Sequence, residues 1–291
     1  WSGPSFCGVL LEAEPGVAFD VAGELHHLDG HAADFHGPVG GVLQTQHQAA
    51  VALLGIGLQG AGLAVDMGDA DIVHTDTETS HANIEHGVRK ALAAGALPVV
   101  LGGDHSVNIP CIRAFDAEEP FHLIQIDAHL DFVDVRHGVR HGHGNPMRRA
   151  AEKSYVTGLS QIGIRNVSST AKDGYDDARK MGSDILSVRQ FRKLGVEKVL
   201  QRIPKGSRYY VTIDIDGFDP SIAPGTGTPS HGGFLYYEVL ELLQGISKQG
   251  EVIGMDLVEV APDYDHTGST GFLAAQILLN FLGFIFHERR K

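Results

Sequence analysis

Cysteine, tryptophan and basic side chains are scarce in this sequence of 291 residues. Its two cysteines, Cys7 and Cys111, are too few for a disulfide framework or a cysteine-built zinc site, and they favour a reducing compartment. The 23 Lys and Arg residues stand against 36 Asp and Glu residues, which gives a net charge of −13 with His neutral. That balance disfavours nucleic acid as a partner, because affinity for nucleic acid comes mostly from basic side chains on phosphates. It is compatible with a cationic substrate, although solubility alone also explains it.

No apolar run of about 20 residues is evident either, so we expect no membrane span. Lys and Arg are absent before Arg89, and residues 1–65, rich in Gly, Ala and His, are the least readable part of the chain. The chain begins at Trp1 rather than Met, so a removed targeting segment in front of it stays open. The low cysteine content leads us to expect a cytoplasmic protein.

What the sequence does contain is an alternation of short apolar runs and helical patterns beyond residue 65. Apolar residues recur every fourth position in 80–95, which predicts a helix capped by Ser80. Alternating buried strands and helices predict an α/β fold, with a parallel sheet covered by helices on both faces, in a single domain over 1–291. The predicted strands are 97–101, 123–126, 161–164, 209–213 and 252–257, and the further helices are 171–181, 188–202, 235–248 and 271–287.

Histidine and acidic residues follow directly after four of the predicted strands. Ligands of open α/β sheets bind at the carboxyl ends of the strands, so we expect these side chains to converge on one crevice. The set comprises Asp104, His105, Asp127, His129, Asp131, Asp214, Asp216 and Glu259.

The sharpest local pattern lies just after the second of these strands. In an extended segment alternate side chains share a face, so Asp127, His129 and Asp131 are expected to point the same way, as metal ligands do. The alternative is a strand exit in which an Asp caps a helix and the His is satisfied by hydrogen bonds. Asp214 and Asp216 repeat the spacing on another strand, where two ionised carboxylates repel each other unless a cation, a proton or backbone N–H groups relieve them.

His105 completes a set of two histidines and four aspartates, although its glycine turn also reads as a plain strand–helix turn with Asp104 or Ser106 as the cap. The whole set exceeds what one ion needs and suits two ions about 3.5–4 Å apart with bridging carboxylates. Oxygen ligands dominate and no thiolate is offered, which favours Mn²⁺ over Zn²⁺ and leaves Co, Ni and Fe open. Such a centre lowers the pKa of a bridging water, so the predicted chemistry is hydrolysis at a planar carbon or at phosphorus.

Five blocks of the sequence resemble, in order and spacing, the signature blocks of the ureohydrolase family, which includes arginase, agmatinase and guanidinobutyrase. The resemblance covers residues 66–291, whereas the family's Arg-Pro-Gly-Ala-Arg-like loop is not found in 1–65. It implies a three-layer, arginase-like α/β fold, two Mn²⁺ ions and release of urea from a guanidino compound. The details of the third and fifth blocks are similar to the agmatinase branch rather than to arginase. The blocks are 102–106, 127–131, 212–220, 223–229 and 259–265.

The resemblance also implies a role for each residue at a matching position. Asp131 would orient the nucleophile, and Glu259 would pair with the substrate guanidinium. Apart from the resemblance, Thr228 is a candidate to offer a hydroxyl to the substrate, with a plain turn as the alternative. The family's proton-shuttling His stands three residues before a Pro, which selects His143, with His141 as the second choice. One ion would be held by His105, Asp127, Asp131 and Asp216, and the other by Asp127, His129, Asp214 and Asp216.

Agmatine is the predicted substrate, hydrolysed to putrescine and urea as in polyamine biosynthesis, because the charge of −13 slightly favours a dication. The competing substrates are 4-guanidinobutyrate, 3-guanidinopropionate, arginine and formimidoylglutamate. A non-catalytic paralogue is the alternative from another class, but it has no need of four clustered aspartates. A one-metal deacetylase on a related fold does not explain six ligands. The resemblance further implies a homo-oligomer, either a trimer or a hexamer.

Overall fold

The computed structural model describes residues 64–166 and 169–290 in full, together with the backbone of three earlier strands. Two of these strands, β1 (Val17–Phe19) and β2 (Leu25–His27), form an antiparallel pair. The third, β3 (Val51–Gly57), belongs to the main sheet. The rest of segment 1–65, including Cys7, lies outside the described residues. Only residues 64 and 65, which begin the next strand, are described.

The main sheet has eight strands in the order β4-β3-β5-β10-β9-β6-β7-β8. The six strands from β5 to β8 in this order are parallel, whereas β3 pairs antiparallel with both β4 and β5. The α/β prediction is confirmed, and the antiparallel edge is an addition to it. The remaining strands are β4 (Ala64–Ala70), β5 (Ala96–Leu101), β6 (Phe121–Ile126), β7 (Val156–Ile162), β8 (Ser183–Leu186), β9 (Arg208–Asp214) and β10 (Glu251–Val258).

Eight α-helices lie among the described residues, and two predicted boundaries were wrong. The first helix is capped by Asp76, whose carboxylate accepts a hydrogen bond from the Thr79 N–H at 3.0 Å, and not by Ser80, whose hydroxyl bonds to the Val73 carbonyl. The helix predicted over 188–202 is two helices, because Gly195 takes a left-handed φ of 80° between them. The helices are α1 (Thr77–Ala93), α2 (Asn108–Arg113), α3 (Pro146–Ala151), α4 (Lys172–Lys180), α5 (Val188–Leu194), α6 (Val196–Leu200), α7 (Tyr236–Gln249) and α8 (Ser269–Arg289).

The sheet is buried on both faces, as the continuous apolar strands predict. Along β9, Tyr209, Val211 and Ile213 pack into a core shared with α5, α7 and α8, whereas Tyr210 packs into a second core shared with α1, α2 and α3. Side chains of one strand alternate between the two cores because successive residues point to opposite faces. The three-layer arrangement follows, with helices, sheet and helices in sequence.

Helix α8 was predicted over 271–287, but the length of its apolar run was missed. It has 21 residues and is long and apolar enough, by length and composition alone, to cross a membrane. Half of its most apolar window is buried inside the protein, where Ile277 and Phe281 are fully enclosed. It packs against α7 and β10, so its apolar character is that of a core helix.

Candidate metal centre

The segment after β6 brings its three polar residues together, although not in the way the spacing predicts. The strand ends at Ile126, and residues 127–131 form an irregular loop in which Asp131 has a left-handed φ of 52°. Asp127, His129 and Asp131 therefore converge because the chain bends, rather than because they alternate along a strand. Gly163 at the end of β7 makes room for this loop, since a Cβ there would lie 2.7 Å from the Asp127 carbonyl oxygen.

Asp214 and Asp216 likewise do not share a strand face. Asp214 is the last residue of β9, and Asp216 lies in the following single turn of 3-10 helix, Ile215–Gly217. One carboxylate oxygen of Asp214 accepts a hydrogen bond from the Asp216 N–H at 2.9 Å, which fixes the turn. The turn directs both carboxylates towards the loop after β6.

Two groups of ligand atoms result, and they share Asp127. The Nδ1 atom of His105 lies 2.9 Å from Asp131 Oδ2, 3.1 Å from Asp127 Oδ2 and 3.3 Å from Asp214 Oδ2. In the second group, His129 Nδ1 lies 2.9 Å from Asp216 Oδ2 and 3.6 Å from Asp127 Oδ1.

This placement groups the candidate ligands differently from one expectation. His105 was expected to share its ion with Asp216, but Asp214 is the carboxylate that lies beside His105 and Asp216 lies beside His129. The exchange follows from the 3-10 turn, which carries Asp216 past the end of β9 and towards the loop that holds His129.

The electrostatics of the cluster are those of a site built for cations. Burial and the charge of Asp127 raise the pKa of Asp131 to about 6. Burial, reinforced by neighbouring carboxylates, also raises the pKa values of Asp214 and Asp216. Burial alone would lower the pKa of His129, but hydrogen bonds to Asp127 and Asp216 outweigh it and raise this pKa to about 11. Such crowding of like charges is relieved when metal ions occupy the space between them.

The donor set fits two divalent ions. Nδ1 of His105 is fully buried and has no hydrogen-bond partner, although three carboxylate oxygens surround it, as expected for a nitrogen that ligates a metal. Each group offers one imidazole and carboxylate oxygens within 4.8 Å of one another. The described cysteine, Cys111, is buried elsewhere and hydrogen-bonds to Tyr210, so the donors here are nitrogen and oxygen. This chemistry suits Mn²⁺ and other first-row ions that accept oxygen ligands.

Glu259 lies directly beside the centre, just beyond the end of β10. Its backbone has a left-handed φ of 64°, and its carboxylate accepts a hydrogen bond from the His105 backbone N–H at 2.9 Å. Burial raises the pKa of Glu259 to about 7, although this hydrogen bond and the charge of His143 oppose the rise. A non-glycine residue held in this conformation is frequent at functional sites.

The loop between Asp131 and α3 separates the two candidate proton-shuttling histidines. His141 is tied to α1, because its Nδ1 lies 2.5 Å from a carboxylate oxygen of Glu78. His143 is exposed and close enough to Glu259 for its charge to act on that carboxyl group. His143 also lines a cavity of about 230 Å³ together with Arg136. The geometry favours His143 over His141.

Thr228 lies against a candidate metal ligand, and its contact with substrate stays a prediction. Its hydroxyl donates a hydrogen bond to Asp216 Oδ2 at 3.0 Å, so in this structure it orients a candidate ligand. Asp104 takes the capping role that was its alternative, since its carboxylate accepts a hydrogen bond from the Ser106 N–H at 3.0 Å. Capping by Asp104 and ligation by His105 are thus both compatible with the turn after β5.

Two supporting residues were missed in the sequence. The Arg165 guanidinium donates hydrogen bonds to several backbone carbonyls, among them those of Asp216 at 2.7 Å and Ser230 at 2.6 Å. Gln125, fully buried in β6, donates to Asp127 Oδ2 at 2.6 Å. The signals that would have identified them are a glutamine inside an apolar strand and an arginine directly after one.

These features define an α/β protein with a buried His and Asp cluster, whose donors fit two ions, at the carboxyl end of its parallel strands. Comparison with known proteins makes the family explicit: a model described as the Arginase family matches residues 47–283. The chain therefore belongs to the arginase family, and the expectation of a hydrolase acting on linear amidines is confirmed.

Relatives and solved structures agree with this placement. The chain is 38% identical over 224 residues to the guanidinopropionase of Pseudomonas aeruginosa, covering 75% of this chain and 70% of that protein. It is 36% identical to the mitochondrial agmatinase of Gallus gallus, with 76% and 66% covered. The structure of proclavaminate amidino hydrolase from Streptomyces clavuligerus superimposes with a TM-score of 0.70 at 33% identity, covering 78% of this chain and 76% of that chain.

Proposed function

We propose that this protein binds two Mn²⁺ ions and hydrolyses the guanidino group of a small linear substrate, releasing urea and an amine. The observation that carries the proposal is the pair of imidazole and carboxylate groups that share Asp127, with Glu259 beside them. His105, Asp131 and Asp214 would complete one ion's ligands, and His129 and Asp216 the other's. Two bound ions would supply Lewis acidity and a nucleophilic water at neutral pH.

The chain's own residues divide the remaining work. Glu259 would accept the guanidinium, because a carboxylate matches the two parallel N–H donors of that planar cation. Asp131, the candidate ligand at the start of the loop that carries His143, would take the proton that the attacking water loses. His143 would deliver a proton to the nitrogen of the departing amine, for which an exposed imidazole is suited at neutral pH.

Agmatine is the first substrate we propose, with putrescine and urea as products. The net charge of −13 favours a dication, and the chain is similar over most of its length to a protein named agmatinase. Agmatine differs from the guanidino acids at its far end, where it carries an ammonium group instead of a carboxylate.

A linear guanidino acid is the second candidate, and the cavity beside His143 favours it. Arg136 lines this cavity of about 230 Å³, so a guanidinium lies in the same cavity as His143. The relative with 38% identity is named guanidinopropionase, and its substrate carries a carboxylate. A carboxylate tail of suitable length would find a partner in Arg136.

The experiment measures urea from purified protein with Mn²⁺, comparing agmatine with 4-guanidinobutyrate, 3-guanidinopropionate and arginine, and it measures formamide from formimidoylglutamate, which has no guanidino group. Urea that disappears with chelator and returns with Mn²⁺ supports the reaction and its metal, and Asp131→Ala must abolish it. The highest kcat/KM on agmatine supports the first candidate, whereas the highest on an acid supports the second. No urea from any of the four guanidino compounds, with two metals bound, would contradict the proposal.

Arg136→Gln separates the two candidates further. If Arg136 binds a substrate carboxylate, the variant raises KM for the acids by about tenfold or more and leaves agmatine unaffected. Arg140→Gln is the matched control, because Arg140 lies in the same loop but pairs with Asp134 at 3.1 Å. Equal effects of the two variants on every substrate would remove the argument for a guanidino acid.

For assembly and location, we infer a trimer or hexamer in the cytoplasm or in an organelle. The support is the family resemblance for the assembly, and the low cysteine content for a reducing compartment. The name of the Gallus gallus relative places that protein in mitochondria. Light scattering of the purified protein tests the assembly, and a monomer would contradict it.

A further inference from the structure

A chain of buried polar groups runs from His105 into the sheet, on the side of the ring that faces away from the carboxylates. Nε2 of His105 lies 2.9 Å from the Thr212 hydroxyl oxygen, and the Thr212 hydroxyl in turn donates a hydrogen bond to Asp256. All three residues are at most 1% exposed. Thr212 and Asp256 are register partners on β9 and β10, so the sheet itself holds this chain in place.

Asp256 is the acceptor at which this series of hydrogen bonds ends. Its second carboxylate oxygen accepts hydrogen bonds from the Asn108 amide at 2.8 Å and from the Tyr210 hydroxyl at 2.9 Å. In the part of the chain that the structure describes, no Lys or Arg forms an ion pair with it. A buried carboxylate in such a position is retained at a cost in desolvation, which its three donors offset in part.

The direction of the chain follows from counting hydrogens. A threonine hydroxyl has one hydrogen, and Thr212 directs it to Asp256, because a carboxylate only accepts. The Thr212 oxygen must then accept from His105, which places a ring hydrogen on Nε2. Nδ1 is therefore the ring nitrogen that faces Asp127, Asp131 and Asp214, and it offers its lone pair to a cation that displaces its own hydrogen.

We propose that Asp256 is a positioning residue for metal binding, which acts through Thr212 to hold His105 in the ring orientation and tautomer whose Nδ1 accepts a cation. The inference rests on the proposed metal centre. Partners of this kind raise the basicity of a ligating imidazole and fix its angle, and losing them typically lowers metal affinity by about 10–100-fold. Among the described residues no comparable chain of hydroxyl and carboxylate stands behind His129, so the effect should fall on one of two ions.

The test compares Thr212→Val with Thr212→Ser. Valine has nearly the shape of threonine but no hydroxyl, whereas serine keeps the hydroxyl and loses only a methyl group. We expect Thr212→Val to weaken the binding of one of two Mn²⁺ ions by about 10–100-fold, measured by titration calorimetry on the chelator-treated full-length protein. Thr212→Ser should bind both ions within about threefold of wild type, and this rescue would not occur if only packing mattered.

Tyr210→Phe is the matched control. It removes one hydrogen bond to Asp256 from the same strand and leaves the link through Thr212 intact, so both Mn²⁺ affinities should stay within about threefold of wild type. A loss in Tyr210→Phe equal to that in Thr212→Val would show that the effect is general to the buried network and would overturn the proposal.

Asp256→Asn keeps the proposal testable if Thr212→Val fails to fold. The Asn108 amide can turn to match the new side chain, because its oxygen is buried without a hydrogen-bond partner. We expect a loss of affinity at one ion that is smaller than in Thr212→Val, since an amide oxygen still accepts from Thr212 but carries no charge.

Two outcomes separate this inference from the proposed function. If the wild-type protein binds no Mn²⁺, the proposed metal centre itself is wrong. Wild type that binds two ions, with Thr212→Val or Asp256→Asn binding both equally well, would leave the centre standing and overturn the positioning role of Asp256.

Discussion

The interior of the sheet and the carboxyl end of its strands follow opposite rules of construction. In β9, Val211 and Ile213 are fully buried among apolar side chains, in ordinary strand conformation. One to three residues later Asp214 and Asp216 are equally buried, but their neighbours are other carboxylates. The left-handed φ values of Asp131 and Glu259 occur at this end as well. Stability and chemistry are therefore separated along the length of a single strand.

This separation implies that the residues at the carboxyl end of the strands contribute little to the free energy of unfolding when no metal is present. The raised pKa values of Asp131, Asp214 and Asp216, with burial as their first cause, mean that ionising these three carboxyl groups costs folding free energy, which the pairing of His129 with Asp216 offsets in part. Apolar packing on both faces of the sheet has to offset that cost. Changes at the two ends should thus separate activity from stability, and four substitutions test this.

Asp216→Asn should have the largest effect. The amide keeps the shape of Asp216 but is a poor metal ligand, so urea release should fall by about a thousandfold or more, beyond the 10–100-fold typical of an outer-shell partner. The unfolding free energy of the metal-free protein should not fall by more than about 1 kcal/mol, because removing the buried charge offsets the loss of its pairing with His129. Urea kinetics and denaturant unfolding in chelator measure the two effects. A large loss of metal-free stability would mean that the carboxyl end does stabilise the fold.

Phe281→Ala is the counterpart in the apolar core. Phe281 of α8 is fully buried, and deleting its ring should lower the unfolding free energy by about 3–5 kcal/mol. Because α8 lies behind the sheet, kcat/KM per folded molecule should be unchanged. Gln276→Ala, on the exposed side of the same helix, is the control and should change stability by less than about 0.5 kcal/mol. Equal loss of stability and of intrinsic activity in Phe281→Ala would contradict the separation.

Arg165→Lys tests a residue on the border between the two regions. Lysine cannot reproduce the planar fork that holds the carbonyls of Asp216 and Ser230. We expect Mn²⁺ affinity to fall by about tenfold, with a modest loss of stability, because the turn that carries Asp216 loosens. Arg192→Lys, whose guanidinium is tied to Glu238 at 2.8 Å on the surface, should leave metal affinity unchanged. Mn²⁺ titration of both variants decides the matter.

His122, in β6, should give the smallest effect, and it concerns stability alone. Burial lowers the pKa of His122 to about 4, although the charge of Asp184 opposes this, while an unfolded histidine titrates near 6.5. Since the folded pKa is the lower one, stability is full above pH 6.5 and is lost as the pH falls towards 4. Between pH 7 and 5 the loss should be about 2 kcal/mol.

His122→Gln should remove this part of the pH dependence, measured as unfolding free energy at several pH values. Gln is the suitable replacement, since it can keep a hydrogen bond to Ser160, which lies 2.9 Å from His122 Nε2. Parallel pH profiles of the two proteins would show that His122 does not titrate as its burial implies.

The sequence allowed the parallel part of the fold to be predicted because four of its strands contain short apolar runs. The fifth, predicted over 161–164, was placed too late, since β7 is Val156–Ile162. It gave no such signal for β8, whose four residues include two that are only partly buried, or for the break at Gly195. Local spacing failed at Asp131 and Asp216 because bends and a 3-10 turn, not strand alternation, aim these side chains.

Pairing across the sheet is the other part that could not be predicted. Thr212 and Asp256 each look like an isolated polar interruption of a strand, and only the register of β9 with β10 makes them partners. The same holds for Gln125, whose amide meets both Asp127 and Gln161 of the neighbouring strand β7. The ligand set itself was accessible, because parallel strands end at a common edge.

The hydrogen bond from the His105 backbone to Glu259 joins the candidate metal ligand to the residue proposed to grip the guanidinium. A shift of one residue would displace the other, so under the proposed function the guanidino end of the substrate would keep its place relative to the metal ligands. Arg136 and His143 line a cavity in the loop before α3, to which the proposed function assigns the far end of a guanidino acid. The relatives named agmatinase and guanidinopropionase have names that differ in the substrate tail and not in the guanidino group.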